Sequence, residues 1–142
     1  MGKFNQLTTL SGDFTESGYI SAVVAANADE QPVFTNKTGN TLKLISAGFV
    51  PDAAVTGAAT NHFTLQVRNK GTAGTGTTGM TDAKAYDTGI DIAAFDEDLL
   101  VNSSTAANLL LADGETAALD KAKIGTGLDM PAGRCVLVFE HV

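Results

Sequence analysis

The segment that most constrains this chain is His62–Asn69, HFTLQVRN, where Phe63, Leu65 and Val67 alternate with Thr64, Gln66 and Arg68. A period of two puts the apolar side chains on one face of an extended strand and the polar ones on the other. No segment shows a competing apolar stripe at helical spacing. Shorter runs of the same character recur between turn signals: Tyr19–Ala25, Gln31–Thr35, Thr41–Val50, Ala85–Ile92 with a glycine kink, Leu99–Val101, Leu109–Leu111, Thr116–Ala122 and Arg134–Val142. The turns fall at Asn27–Asp29, Asn36–Asn40, Pro51–Asp52, Ala112–Glu115 and Pro131–Gly133.

Three details sharpen this pattern. Pro32 requires a sheet edge or a strand start. In TLKLISAGFV the apolar phase flips between Leu44 and Ile45, which predicts a bulge or a strand covered on both sides. The closing strand is apolar on both faces (Cys135, Leu137 and Phe139; Val136, Val138 and Val142), so it is either central or covered by a partner. Ala93–Leu100 reads as a helical turn or a loop. Ser103–Asn108 reads as a short helical turn capped by Ser104.

Short strands with regular turns predict an all-β fold of about eight strands, a sandwich or barrel. The long connections 51–61, 70–84 and 93–108 suit Greek-key crossings, hence a jelly-roll-like β-sandwich. The chain has 142 residues, no internal repeat and no linker, as expected for one domain, 18–142. Residues 1–17 carry only spaced apolar side chains, Phe4, Leu7, Leu10 and Phe14. They read as an extended N-terminal arm that packs on something, the alternative being a frayed terminus.

Composition narrows the function. Nine basic against sixteen acidic side chains leave a net charge of −7, a poor balance for gripping phosphates, so no nucleic-acid partner is expected. No run of about 18 apolar residues is present, so no membrane span is expected. No signal-like N-terminus is seen, which points to synthesis in a cytoplasm. Ala, Thr and Gly together exceed a third of the chain and charged residues are 18%, below the roughly 25% of ordinary domains. Such a surface suits extensive contact with other protein.

Motifs for chemistry are weak. GTGTTG, Gly74–Gly79, matches a dinucleotide fingerprint, but no apolar helix follows it and no P-loop lysine is present. His62, His141 and Cys135 are too few for a transition-metal site. Asp96–Glu97–Asp98 lacks the alternate-position spacing of a calcium loop and reads as a solvated acidic turn. Cys135 and His141 lie on one strand, about 20 Å apart at about 3.3 Å per residue, too far to act as nucleophile and base. Cys135 reads as a small core residue. No catalytic, cofactor or metal residue is expected, and an enzyme is disfavoured.

The order of features carries a resemblance. PVFTNKTGNTLKLISAGFV is followed by HFTLQVRNKGTAGTGTT, DTGIDIAAF, NLLLADGETAAL and a closing PAGRCVLVFEHV. The L-x-A-D-G-E turn at Leu110–Glu115 and the P-A-G turn at Pro131–Gly133 are its most telling pieces. Over Gln31–Val142 the chain resembles the small jelly-roll head decoration, or cement, proteins of tailed bacteriophages. Its motifs are structural turns, which β-sandwich modules of phage tails and fibres share.

The resemblance implies a structural virion protein on the capsid exterior, made in the host cytoplasm. It would bind the major capsid protein as a homotrimer at three-fold axes and brace capsomer junctions. Phe4, Leu7, Leu10 and Phe14 are then the expected capsid or subunit contacts. The alternative is a tail or fibre module that binds host-surface carbohydrate through loops 51–61 and 70–84.

Overall fold

Residues 12–142 are described by a computed structural model, and their backbone is almost entirely strand and turn. The strands are β1 (Phe14–Ile20), β2 (Asp29–Thr35), β3 (Leu42–Pro51), β4 (His62–Asn69), β5 (Thr78–Gly79), β6 (Lys84–Ala85), β7 (Asp98–Leu100), β8 (Leu110–Leu111), β9 (Thr116–Ile124) and β10 (Gly133–His141). They form two antiparallel sheets. Sheet I runs β1-β10-β3-β7, with β8 also on β3; sheet II runs β2-β9-β4-β5, with β6 also on β4. Counting β5 with β6 and β7 with β8 gives eight positions in jelly-roll order.

The alternating segment HFTLQVRN is β4. Phe63, Leu65 and Val67 are fully buried, while Thr64, Gln66 and Arg68 are half-buried on the outer side. The core lies between the sheets. Leu44, Phe49, Leu137 and Phe139 from sheet I meet Phe63, Leu65, Val67 and Leu119 from sheet II. Each such side chain contributes on the order of 2 kcal/mol by leaving water.

Pro32 lies on β2, an edge of sheet II, and the β2–β9 register slips between Pro32 and Phe34. The phase flip in β3 is a bulge. Phe139 faces Leu44 and Val138 faces Ser46, so Ile45 has no partner across β10. β10 is central, flanked by β1 and β3. Cys135, Leu137 and Phe139 are buried in the core, and Val136 and Val138 are half-buried outside.

Several expectations need correction. The first strand is Phe14–Ile20, not Tyr19–Ala25. Its inward residues Phe14, Glu16, Gly18 and Ile20 oppose Phe139, Leu137, Cys135 and Gly133. Gly18 permits close approach of β2, because a Cβ there would lie 3.0 Å from the Val33 backbone. Residues 14–17 therefore belong to the sandwich and not to an arm, and Val23 joins only through a bridge to Met130. Ala85–Ile92 is not one strand. The Ile90 amide donates to the Asp87 carbonyl across a turn with Gly89 at φ +80°, and Ile92 pairs singly with Val55. Ser104 caps nothing: a 3-10 turn covers Ala106–Leu109 without a side-chain cap, and the Ser103 hydroxyl accepts from the Thr105 amide. Connection 70–84 does not cross between sheets, since β5 and β6 both pair with β4.

The L-x-A-D-G-E turn is a structural tie. Asp113 accepts from the Gly39 amide at 2.8 Å, and Glu115 accepts from the Ala112 amide and the Asn69 side chain at 2.7 Å each. Buried Asn36 donates to the Leu111 and Asn40 carbonyls, at 2.8 and 2.7 Å, which locks the two turns together.

Candidate interaction surface

Of the four expected contact residues, Phe4, Leu7 and Leu10 lie outside the described residues. Phe14 lies in β1, with its ring 6.1 Å from that of Phe139 and 5.6 Å from that of His141. It is half-buried against the domain's own core.

Cys135, Asp98 and the Gly74–Gly79 segment have structural surroundings. Cys135 is fully buried, and burial pushes its thiol up to about 12, so the reactive thiolate is absent at neutral pH. Asp98 is occupied on both oxygens: Lys84 Nζ donates to Oδ1 at 2.6 Å and the buried Tyr86 hydroxyl to Oδ2 at 2.7 Å. Burial and this carboxylate push the Tyr86 phenol well above its ordinary value. Among the described residues no three His, Cys, Asp or Glu side chains gather as metal ligands. Gly74–Gly79 spans the end of a turn and β5.

The two loops named for carbohydrate have different surroundings. Loop 51–61 packs on residues 86–92, with the Ala58 amide donating to the Tyr86 carbonyl and the Gly57 amide to Asp91. Residues 70–77 border a shallow groove of about 320 Å³ lined by Glu30, Pro32, Lys70, Gly74, Thr116 and Ala118. That lining has no aromatic ring on which a sugar would stack.

Sequence reasoning missed two buried charges in β9. Thr116–Ala122 was expected to alternate, yet Ala117–Lys121 are five consecutive buried residues. Lys121 is 1% exposed and directs Nζ at the carbonyls of Val24 (3.1 Å) and Asn27 (2.5 Å), 5.8 Å from the Phe63 ring. Burial lowers its pKa, against the pull of Asp129. Asp120 faces outward to Arg68 at 3.3 Å. Burial raises its pKa, and Arg68 opposes this. The clue available in the sequence was a charge pair inside an otherwise apolar strand.

The outer face of sheet I differs from all of these. Tyr19 on β1 is 63% exposed, Leu99 on β7 57%, and Val101 just beyond β7 66%. Between them, Val136 lies opposite Gly48, and Gly48 opposite Leu99. At the Pro51 end of β3 the Phe95 amide donates to the Pro51 carbonyl at 2.8 Å. The Phe95 side chain is 76% exposed. Tyr19 and Leu99 stand on the two edge strands of this sheet, with the exposed Arg134 opposite Tyr19, so the face presents large apolar side chains with charge among them, the composition of an interaction surface. The chain gives no match to family models, to curated proteins or to solved structures.

Proposed function

We propose that this chain is a capsid decoration protein that binds the outside of a phage head and stabilises capsomer junctions. The observation that carries the reading is the exposed apolar outer face of sheet I, presented on a two-sheet jelly-roll sandwich. A rigid face of this kind can clamp neighbouring protein without any local rearrangement, and many copies on a repeating shell add avidity. The resemblance of the turns at Leu110–Glu115 and Pro131–Gly133 to head decoration proteins gives the reading its viral setting. A homotrimer at three-fold axes is the assembly it implies.

The test is where the protein lies in virions of the phage whose genome encodes it. Cryo-electron microscopy should show repeating density for the sandwich over the head. Density confined to the tail tip would overturn the reading in favour of a tail or fibre module.

A further inference from the structure

We infer that the outer face of sheet I, with the Phe95 turn at its end, is the shell-facing surface, and that it docks on a protein surface where Lys and Arg stand among apolar side chains. The inference rests on the decoration-protein reading and adds which face binds and the chemistry it meets.

Phe95 is the starting point. It is the one non-glycine among the described residues with a positive φ, +64°, a region that favours glycine. Its side chain adds little to the core, being 76% exposed. An aromatic held outward in a costly backbone conformation is explained by contact with something outside the chain. Leu99 and Val101 project from the next extended segment, while Leu100 between them is buried. Gly48 lets the Glu97 side chain lie across the sheet between Leu99 and Val136, since a Cβ at Gly48 would come within 2.8 Å of Glu97 Cγ.

Charge selects the occupant. Ion pairs of the described residues use Glu30, Asp98, Asp120 and Glu140; among the carboxylates with no described Lys or Arg within 4 Å, Asp52, Asp82, Asp96 and Glu97 lie at this face, against one unpaired cation there, the exposed Arg134 opposite Tyr19. Asp52, Asp82 and Asp96 border the face, and Glu97 lies across it over Gly48. Asp96 and Glu97 follow Phe95 in the chain, Asp52 follows Pro51, and the Asp82 amide donates to the Val101 carbonyl at 2.7 Å. A second copy joined through the same face would set four carboxylates against four, with only Arg134, among the described residues of each copy, to answer them. Nucleic acid and anionic lipid are repelled for the same reason. A protein with basic side chains set among apolar ones is complementary in both respects.

The experiment measures binding of the full chain to heads that lack it, prepared from the phage that encodes it, at about 0.05 and 0.5 M salt. Phe95→Gly and Leu99→Ser should each weaken binding at least tenfold. The Phe95→Gly chain should keep its melting temperature, because glycine suits that φ. Ile124→Ser, on β9 of sheet II, should bind like the parent, and parental binding should weaken with salt. Full binding by both Phe95→Gly and Leu99→Ser, or binding that is insensitive to salt, would overturn the inference while leaving the decoration reading intact. Self-association of the free chain that depends on Phe95 would also overturn it, in favour of a second copy. Failure of the parent chain to bind heads at either salt would instead overturn the decoration reading itself.

Discussion

The Asn102 side-chain amide donates a 2.8 Å hydrogen bond to the main-chain carbonyl of Ile45, the residue that bulges out of the β3–β10 ladder. The β3–β7 register, with Ala47 opposite Leu100, brings Asn102 opposite Ile45, in the stretch of β3 that neither β7 nor β8 pairs, and the Asn102 side chain serves the carbonyl there. Asn102→Ala should cost about 1–2 kcal/mol, the range for a lost hydrogen bond with one group stranded. Asn102→Asp should cost more, because it sets a carboxylate against a carbonyl. Denaturant unfolding of the three chains checks this order, and an Asn102→Ala chain as stable as the parent would show that water serves the carbonyl equally well.

The bulge also marks how far the sequence could be read. The Leu44–Ile45 phase flip is a local signal, so it pointed to a bulge, but nothing local to Ile45 names Asn102 as its partner. Likewise the alternation of β4 and the two apolar faces of β10 identify strands because burial there depends on the strand alone. β1 was misplaced because Ile20, Val23 and Val24 have the higher strand propensity, whereas pairing with β10 selects Phe14–Ile20. Lys121 was illegible because its partners are main-chain carbonyls some 95 residues away, as its separations of 97 and 94 from Val24 and Asn27 show. The outer face of sheet I was half legible. Phe95, Leu99 and Val101 stand out beside acidic residues, but only the strand order brings Tyr19 and Val136 onto the same face.

Lys121 clamps the connection between β1 and β2 by capping the carbonyls of Val24 and Asn27. The same connection is held by the Ala25 amide donating to Asp129 at 2.7 Å. Lys121→Met keeps the apolar stem over Phe63 but strands the carbonyls. The expected loss is about 2–3 kcal/mol. Hydrogen exchange should quicken first at the Val23 and Ala25 amides. Unchanged protection there would mean that Asp129 alone holds the connection.

Alkaline pH should unfold the domain with a slope that reports on Cys135. Its thiol titrates at about 12 when folded, against an ordinary value of 9.0. Between those values the folded chain keeps a proton that the unfolded chain releases, so stability is full below pH 9 and falls as pH rises, by at most about 1.4 kcal/mol per pH unit. Tyr86, also raised, acts in the same sense above its ordinary value of 10.0. Lys121, lowered, acts in the opposite sense below 10.5. The difference between the parent and Cys135→Ala isolates the thiol, and the variant should lose stability less steeply from pH 9 upward. Equal slopes would mean that Cys135 is reached by solvent. In the folded chain at pH 8, Cys135 should react with a thiol reagent only at the rate of unfolding.

The boundary of the domain decides how an arm can be tested. Removing residues 1–17 would delete Phe14–Ser17, which pair with Phe139–Val136, and would take the Phe14 ring off Phe139. That exposes part of β10 as a new edge and costs the partial burial of an aromatic side chain, about 1–2 kcal/mol, besides the β1 ladder. A chain shortened this far should melt well below the parent or aggregate, and any loss of head binding would be uninformative. Removing residues 1–11 leaves every pair of β1 in place. That shorter truncation should melt with the parent, and if Phe4, Leu7 and Leu10 contact the shell it should bind heads more weakly. A Phe4→Ser, Leu7→Ser, Leu10→Ser chain should match it. Undiminished binding by both would assign shell attachment to the sandwich alone.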